Sequence, residues 1–290
     1  MASKELKPFI KWVGGKRQLL DEITKYVPDK FGTYYEPFLG AGAVFFHLAP
    51  ERAVLNDVNK ELIELYEIIR DNPRELIKEL AIHKRKNSKE YYYEVRAWDR
   101  SSGYHSRTGV SKAARFIYMN KVGYNGLYRV NSKGQFNVPY GKYVNPTILD
   151  ESLIESVSEY LIGNDIKFTS LDFEKTVETT KKGDLVYFDP PYDPLTPTAS
   201  FTAYQKDGFN RNDQIRLKLC SDELVRRGAK VILSNSNTCF INDLYSNKIH
   251  GALSDVEYYV VHLVDAKRNI NSKGDRRGAI KEVLIVSKDK

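Results

Sequence analysis

The chain has 290 residues, of which 41% are hydrophobic and 29% charged, and this composition excludes a disordered or fibrous protein. Its formal net charge of +7 favours a polyanionic partner such as nucleic acid. Its two cysteines, Cys220 and Cys239, lack metal-ligand companions, which argues against a disulfide scaffold or a zinc site. Because no signal-peptide core or long apolar run is found, we expect a cytoplasmic protein without a membrane partner.

The N-terminal part of the sequence predicts alternating helices and strands. Residues 17–27 place apolar side chains on one helical face. The segment YYEPFLGAGAVFFHLA then predicts a strand, a glycine turn and a buried helix, and it is followed by a strand in RAVLND and a helix in NKELIELYEII. This order is typical of an α/β fold in which crossover helices connect parallel strands.

The alternation stops between residues 73 and 160. This stretch predicts helices at 74–85, 89–98, 112–121 and 151–161, with a hairpin turn at Ser132-Lys133-Gly134. Strands resume in DIKFTSLDF, DLVYFDPPY, AKVILSNS, VEYYVVHLV and IKEVLIVS. We therefore expect one sheet-forming domain made of residues 1–72 and 161–290, with residues 73–160 as an inserted domain.

The glycine turn EPFLGAG places Gly40 and Gly42 where a strand enters a helix, a position at which the backbone can approach a ligand closely. Phe45 occupies the third glycine position of the dinucleotide fingerprint, which argues against a pyrophosphate cradle. Asp57 ends the next strand, where doubly wound folds bind ribose hydroxyls. A nucleoside without phosphates, such as S-adenosylmethionine, fits these features, and a plain glycine turn with a helix-capping aspartate is the alternative.

The segment KWVGGKR resembles a phosphate-binding loop only superficially. The first glycine of that loop is missing, and Arg17 stands where the loop requires a magnesium-binding hydroxyl. Nucleoside triphosphate hydrolysis is therefore disfavoured. The Gly14-Gly15 pair can still lie against a cofactor, with Trp12 and Lys16 beside it; an ordinary core position is the alternative for Trp12.

The segment YFDPPY ends an apolar run with an acid, two prolines and a ring. Proline lacks an N–H group and biases the preceding residue toward extended backbone, so this segment presents hydrogen-bond acceptors. The carboxylate of Asp189 and the carbonyl of Pro190 can accept both N–H groups of a nucleobase amino group, which exposes its lone pair to a sulfonium methyl group while Tyr192 stacks on the base. A base in a duplex must first rotate out. The alternative is a rigid turn.

Over nearly its whole length the sequence resembles the Dam family of DNA adenine-N6 methyltransferases (alpha group, D12 class), in particular the DpnM-like GATC methylases. The resemblance rests on KWVGGKRQLL, YYEPFLGAGAVFF, LNDVNKELI, GYNGLYRVNSKGQFNVPYG, YFDPPYDPLTPTASFTAY and LSNS. It implies an α/β, Rossmann-like S-adenosylmethionine-dependent methyltransferase sheet ending in an antiparallel hairpin. Residues 73–160 would form a mostly helical target-recognition domain carrying a β-hairpin.

The resemblance also implies site residues. The catalytic residues would be Asp189, Pro190, Pro191 and Tyr192, and the cofactor would be bound by Trp12, Gly14, Lys16, Glu36, Phe38, Gly40, Gly42, Asp57, Asp172 and Asp189. A helix cap before Phe173 is an equal alternative for Asp172. Nothing in the sequence predicts a bound metal.

The same resemblance assigns DNA contacts. Tyr124 would wedge into the duplex where the adenine leaves, with Asn125 beside it. Leu127 and Arg129 would read the outer base pairs, since arginine matches the O6 and N7 atoms of guanine, and Lys11 would read the first guanine. Further contacts are assigned to Tyr143, for which a core position is the alternative, and to Arg268, Lys273 and Arg276, for which a solvated charge run is the alternative.

The leading hypothesis is methylation of adenine N6 in double-stranded GATC sites by base flipping. We expect a monomer without an obligatory protein partner, and pairing with a restriction endonuclease stays open. Methylation of cytosine N4, single-stranded DNA, RNA or a protein amide is an alternative with the same chemistry. A DNA-binding subunit without catalysis is another, and Phe45 together with the D-P-P-Y segment argues against a nicotinamide oxidoreductase.

Overall fold

The computed structural model describes residues 6–195, 208–246, 258–267 and 279–289. In these ranges the α-helices are α1 Leu20–Thr24, α2 Ala43–Leu48, α3 Lys60–Asp71, α4 Pro73–Lys86, α5 Lys89–Arg96, α6 Gly109–Val122, α7 Glu151–Gly163, α8 Phe173–Thr176, α9 Arg211–Arg226 and α10 Cys239–Tyr245. The strands are β1 Tyr34–Glu36, β2 Arg52–Asn56, β3 Asp165–Thr169, β4 Leu185–Phe188, β5 Lys230–Ser236, β6 Tyr259–Lys267 and β7 Ala279–Ser287. None of the helices in the described ranges combines the length and the apolar character that a membrane crossing requires.

The chain divides into two compact units, and each is assembled from three separate stretches. The first unit comprises residues 1–16, 40–49 and 59–170, and the second comprises residues 17–39, 50–58 and 171–290. Most helices belong to the first unit, whereas six of the seven strands in the described residues belong to the second.

The six described strands of the second unit form one mostly parallel sheet. Within the second unit the strand order is β2, β1, β4, β5, β7, β6. Strand β1 pairs in parallel with β2 and with β4, and β4 pairs in parallel with β5. Strand β7 enters antiparallel between β5 and β6. The predicted Rossmann-like α/β fold, including the antiparallel hairpin at its end, is therefore confirmed.

Burial on both faces explains why the parallel strands read as continuous apolar runs. All four residues of β4 are buried, and Val186 and Phe188 pack with Leu233 of β5 and Ile285 of β7. Helices α9 and α10 contribute to the same core, which includes Leu217, Leu224, Ile241 and Leu244. This packing gives the carboxyl ends of the strands a rigid base.

Four of the six α-helices described in the first unit begin at side chains that cap them. Asn59, Ser88, Thr108 and Asp150 each accept a hydrogen bond from a backbone N–H group in the first turn of α3, α5, α6 and α7. Helix α6 is buried along most of its length, and its Arg115 donates to the carboxylate of Asp99 at 2.7 Å. The predicted helices of this part of the chain are found within a few residues of their expected ends.

Two predicted elements differ in extent. The helix expected over residues 17–27 is reduced to a 3-10 turn at Lys16–Gln18 and the short helix α1, because Leu19 has no side chain that can cap α1. The expected hairpin turns at the predicted place, but its two arms pair only through isolated antiparallel bridges, between Val130 and Phe136 and between Gly123 and Tyr140.

Candidate active site

In the second unit, three acidic residues lie at the carboxyl ends of neighbouring parallel strands. Glu36 is the last residue of β1, Asp57 follows β2 and Asp189 follows β4. The register pairs Tyr34 of β1 with Ala53 of β2 and with Leu185 of β4, so these ends meet at the same edge of the sheet. This edge is where open α/β sheets bind their ligands.

The side chain of Asn56 joins three segments of this edge. Its Nδ2 donates to the carbonyl groups of Pro37 and Leu171, at 2.9 and 3.0 Å, and its Oδ1 accepts from the N–H of Leu171 at 2.7 Å. Its own carbonyl accepts from the N–H of Leu39 at 2.8 Å. Asn56 is only 1% exposed, so this fully used amide fixes the chain on either side of Phe38 and beside Asp57.

Phe38 presents a half-buried ring at the same edge. Its ring centroid lies 5.7 Å from that of Phe173, 6.3 Å from that of Phe188 and 5.6 Å from that of Phe209. Aromatic contacts of this kind hold a ring in one orientation. The half-buried Phe38 therefore offers a preformed apolar surface at this edge of the sheet.

The carboxylate of Asp189 lies among buried phenol groups. Burial raises the pKa of Tyr34, Tyr187 and Tyr192 well above that of a free tyrosine, and the negative charge of Asp189 raises each pKa further. All three tyrosines therefore stay neutral around Asp189 at physiological pH. Asp189 itself is half-buried and Pro190 is buried.

Residues 189–193 form a loop that we call the acceptor loop. Hydrogen bonds fix the ring of Tyr192 within this loop and the ring of Tyr187 just before it. The hydroxyl of Tyr192 donates to Oε2 of Glu282 on β7 at 2.8 Å. The hydroxyls of Tyr187 and Ser234 lie 2.7 Å apart in the buried sheet. The half-buried ring of Tyr192 can therefore support a flat ligand without rearranging, while the buried ring of Tyr187 lies beneath the end of β4.

Asp172 is the N-cap of α8. One carboxylate oxygen accepts from the N–H of Glu174 at 3.0 Å, and both oxygens accept from Arg216, at 3.1 and 3.2 Å. The helix cap expected as an alternative is therefore present. A contact between Asp172 and a cofactor stays a prediction.

In the first unit, Trp12 lies against the glycine turn. A Cβ atom at Gly40 would lie 2.6 Å from Cδ1 of Trp12, and the φ angle of Gly40 is +50°, so only glycine fits there without strain. The indole stacks on Phe116 and Tyr128, with ring centroids 6.3 and 5.8 Å apart. Tyr66 donates to the carbonyl of Gly40 at 3.1 Å, and Gly42 is the N-cap of α2 with a φ of 65°.

Gly14 and Lys16 form a tight turn in the same unit. The φ angle of Gly14 is +80°, and Nζ of Lys16 donates to the carbonyl of Gly14 at 2.6 Å. Lys16 is only 5% exposed, which is unusual for lysine and supports a structural or ligand-binding role for its side chain.

The first unit also brings together several of the predicted DNA-contacting residues. The backbone N–H of Lys11 donates to Oδ1 of Asn120 at 2.9 Å, while Nδ2 of Asn120 donates to the carbonyls of Lys11 and Gly126, at 2.8 and 2.9 Å. Nζ of Lys11 lies 4.7 Å from the ring centre of Tyr143. Tyr124, at the start of the 3-10 turn Tyr124–Gly126, is 44% exposed.

The remaining residues of this set differ in their surroundings. Asn125 has a φ of +55° within the same turn, and Leu127, which ends the turn, is half-buried. Arg129 is exposed, and its Nε donates to Oδ1 of Asn137 at 2.6 Å. Arg268, Lys273 and Arg276 lie outside the described residues.

Comparison with known protein families gives the class of this site. The family model described as "D12 class N6 adenine-specific DNA methyltransferase" matches residues 12–270, most of the chain. The chain belongs to this family. The family and the enzyme class predicted from the sequence are therefore confirmed. The methyltransferase acts on adenine in DNA, and its family implies S-adenosylmethionine as the methyl donor.

Similar proteins carry related names. The methyltransferase is 48% identical over 282 residues to the type II methyltransferase M1.LlaDCHI of Lactococcus lactis subsp. cremoris, covering 97% of this chain and 95% of that protein. It is 41% identical to the type II methyltransferase M.MjaIII of Methanocaldococcus jannaschii, covering 98% and 99% of the two chains. It is 33% identical to the DNA adenine methylase of Escherichia coli, covering 98% and 96%.

Three residues that support the site of the methyltransferase were not predicted from the sequence. Asn56, Asn120 and Glu282 are polar residues inside apolar runs, and each bonds to a motif residue or its neighbour. An amide or acid within an otherwise buried strand or helix face was the available signal, because such a group needs a partner.

Proposed function

We propose that this methyltransferase modifies adenine N6 in double-stranded DNA at GATC sites, after rotating the adenine out of the duplex toward the acceptor loop. The placement of Asp189 directly after β4, beside a Tyr192 ring fixed by Glu282, carries this proposal. Extruding a base costs a few kcal/mol, and stacking and hydrogen bonding in the pocket offset this cost.

The acceptor loop would act through fixed acceptors. The carboxylate of Asp189 and the carbonyl of Pro190 would each accept one N–H of the adenine amino group, which localises the nitrogen lone pair. The ring of Tyr192 would stack on the base. Pro191 would hold the loop extended, because its ring fixes φ and its missing N–H leaves no competing donor.

The residues present fit S-adenosylmethionine, which supplies an electrophilic methyl group when bound. Asp57 provides a half-buried carboxylate for ribose hydroxyls, and Phe38 provides a partly exposed ring for an apolar surface. Glu36, Asp172 and Asp189 would also contact the cofactor. In the first unit, the close approach of Trp12 to Gly40 supports the contacts assigned to Trp12, Gly14, Lys16, Gly40 and Gly42.

Target recognition would belong to the inserted segment, residues 73–160, together with Lys11. The cluster of Lys11 with Tyr143 and the turn at Tyr124–Gly126 supports this assignment, since it places a cation and an exposed ring on the same surface. Exposed Arg129 and its neighbour Leu127 would read the outer base pairs, and Arg268, Lys273 and Arg276 would contact phosphates.

The biological setting would be a restriction-modification system. The relatives named type II methyltransferases are 48% and 41% identical, whereas the DNA adenine methylase of Escherichia coli is 33% identical. A monomer would suffice, because one molecule can modify the two strands of a palindrome in turn.

The deciding experiment is to methylate a plasmid in vitro and map every modified adenine by sequencing. We expect N6-methyladenine at all GATC sites and protection from an endonuclease that cuts unmethylated GATC. Modification confined to another sequence would reject the specificity, and modification of single-stranded but not duplex substrate would reject base extrusion.

A further inference from the structure

The acceptor loop has two residues that cannot donate a backbone hydrogen bond. Loops are commonly held by their own backbone N–H groups, and Pro190 and Pro191 have none. An unfastened loop would leave the acceptor groups of residues 189–190 and the ring of Tyr192 without a fixed position. The bonding partners that hold this loop must therefore come from elsewhere in the second unit.

Two buried side-chain amides supply these bonds, one by donating to the loop and the other by accepting from it. Nε2 of Gln214 on α9 donates to the carbonyl of Pro191 at 2.9 Å. Its Oε1 accepts from Nδ2 of Asn235 on β5 at 3.0 Å, and Oδ1 of Asn235 accepts from the N–H of Asp193 at 3.1 Å. The pair thus bonds the peptide groups on both sides of Tyr192, and its donors and acceptors run in one consistent direction.

The supports of this pair are themselves fixed. Gln214 is 1% exposed and Asn235 is 0% exposed, so water does not compete for their groups. Oδ1 of Asn235 also accepts from the N–H of Ser236 at 2.9 Å, and a capping box between Asn210 and Asp213 fixes the first turn of α9.

Asp193 completes the attachment of the loop. Its carbonyl accepts from the hydroxyl of Ser236 at 2.5 Å, and its buried carboxylate accepts from Nε of Arg211 at 3.1 Å. Tyr192 is therefore held at its backbone by the amide pair and at its hydroxyl by Glu282. Together these bonds leave the ring little freedom to rotate.

We propose that Gln214 and Asn235 are positioning residues for methyl transfer, holding the acceptor loop in its reactive geometry without touching the substrate. The inference rests on the role proposed above for residues 189–192. It accounts for two fully buried amides on separate elements that are bonded to each other and to the loop. Small displacements of reacting groups lower rates strongly, by up to about 100-fold for about 1 Å.

The test is the single-turnover rate of methyl transfer in the Gln214→Met variant, which keeps the side-chain length but removes the donor. We expect a rate about 10- to 100-fold below wild type, with dissociation constants for S-adenosylmethionine and for the DNA duplex within about threefold of wild type. Asn235→Leu should give a similar loss, and the double variant should lose little more, because the two residues act as one relay.

The matched control is Ser221→Ala, which removes a buried hydrogen bond to the carbonyl of Leu217 on the same helix, away from the loop. We expect the wild-type transfer rate in this variant. A wild-type rate in Gln214→Met overturns the inference, as does a rate that falls only together with cofactor binding and melting temperature. If Asp189→Asn is inactive while Gln214→Met is fully active, the positioning role fails and the proposed function stands.

Discussion

The hydroxyl of Tyr192 donates a hydrogen bond of 2.8 Å to Oε2 of Glu282, which connects the acceptor loop to strand β7. The phenol is half-buried, and desolvation together with the nearby charge of Asp189 raises its pKa well above the usual value, so it keeps its proton and donates. Removing the acceptor should therefore be more harmful than removing the donor, because Glu282 is partly exposed and can be hydrated.

We expect Glu282→Leu to lower the free energy of unfolding by about 1 to 3 kcal/mol, and Tyr192→Phe to lower it by only about 0.5 to 1.5 kcal/mol. Urea denaturation of both variants measures this difference. Glu282→Gln is the control, since its amide oxygen can still accept the bond. Equal destabilisation by Glu282→Leu and Tyr192→Phe would contradict the asymmetry.

Asp189→Asn tests the acceptor role. The asparagine amide keeps the size of the side chain but turns one acceptor into a donor facing the adenine amino group. We expect turnover to fall by at least about 100-fold while the affinities for cofactor and DNA change much less. Filter binding and steady-state kinetics on a GATC duplex separate the two effects. Full turnover in this variant would refute the acceptor role.

Arg129→Ala tests base reading. We expect discrimination against substitution of the guanine that it reads to fall by about 1 to 3 kcal/mol, measured as the ratio of kcat/KM values on the two duplexes. Lys133→Ala removes an equal charge from the exposed turn nearby and is the control, with expected loss of affinity but not of discrimination. An unchanged ratio in Arg129→Ala would show that another residue reads this base.

Gly40→Ala tests the packing of Trp12 on the glycine turn. The new Cβ would lie 2.6 Å from the indole and the φ angle is +50°, so the indole or the turn must move. We expect the affinity for S-adenosylmethionine, measured by calorimetry, to fall at least about 10-fold, equivalent to about 1.4 kcal/mol. Gly134→Ala has a similar φ of +72° but open space around it, so it controls for backbone strain. Unchanged affinity in Gly40→Ala would separate this contact from cofactor binding.

His83 predicts a pH dependence of stability. Burial lowers its pKa from 6.5 to about 4, and the ring stacks on Tyr118 at 4.8 Å. Between pH 6.5 and pH 4 the unfolded chain binds a proton that the folded chain does not, so stability falls as the pH falls through this window. The loss should approach about 3 kcal/mol at pH 4.

In the His83→Gln variant this part of the pH dependence should disappear. Denaturant unfolding at pH 8, 6, 5 and 4 measures it, and the difference between the two proteins at pH 8 provides the baseline. An identical slope in both proteins would assign the acid sensitivity to other groups.

The sequence predicts those parts of the site that follow from local chemistry. A glycine turn, a strand end and a proline pair each restrict nearby backbone, so Gly40, Asp57 and Asp189 were placed correctly relative to their strands. Asn56, Asn120 and Asn235 could not be placed, because their partners are up to 115 residues away in the chain. Hydrogen bonds of this kind depend on the assembled fold.

In the incomplete hairpin, the predicted turn forms but a continuous pair of strands does not. The side chain of Asn131 accepts from the N–H groups of Lys133 and Gln135, at 2.9 and 3.0 Å. These local bonds stabilise the turn itself, so the turn signal was right. Longer strand pairing does not follow from a turn, and the two arms form isolated bridges instead of a continuous ladder.

The division of each unit into three stretches sets an order for folding during synthesis. The first unit is complete once residue 170 has left the ribosome, whereas the second still lacks β4, β5, β6 and β7. Until β4 emerges, the edge of β1 that it will cover stays unpaired and able to bind other extended chains. The nascent chain therefore has its greatest need of chaperone protection midway through translation, before the second unit can close.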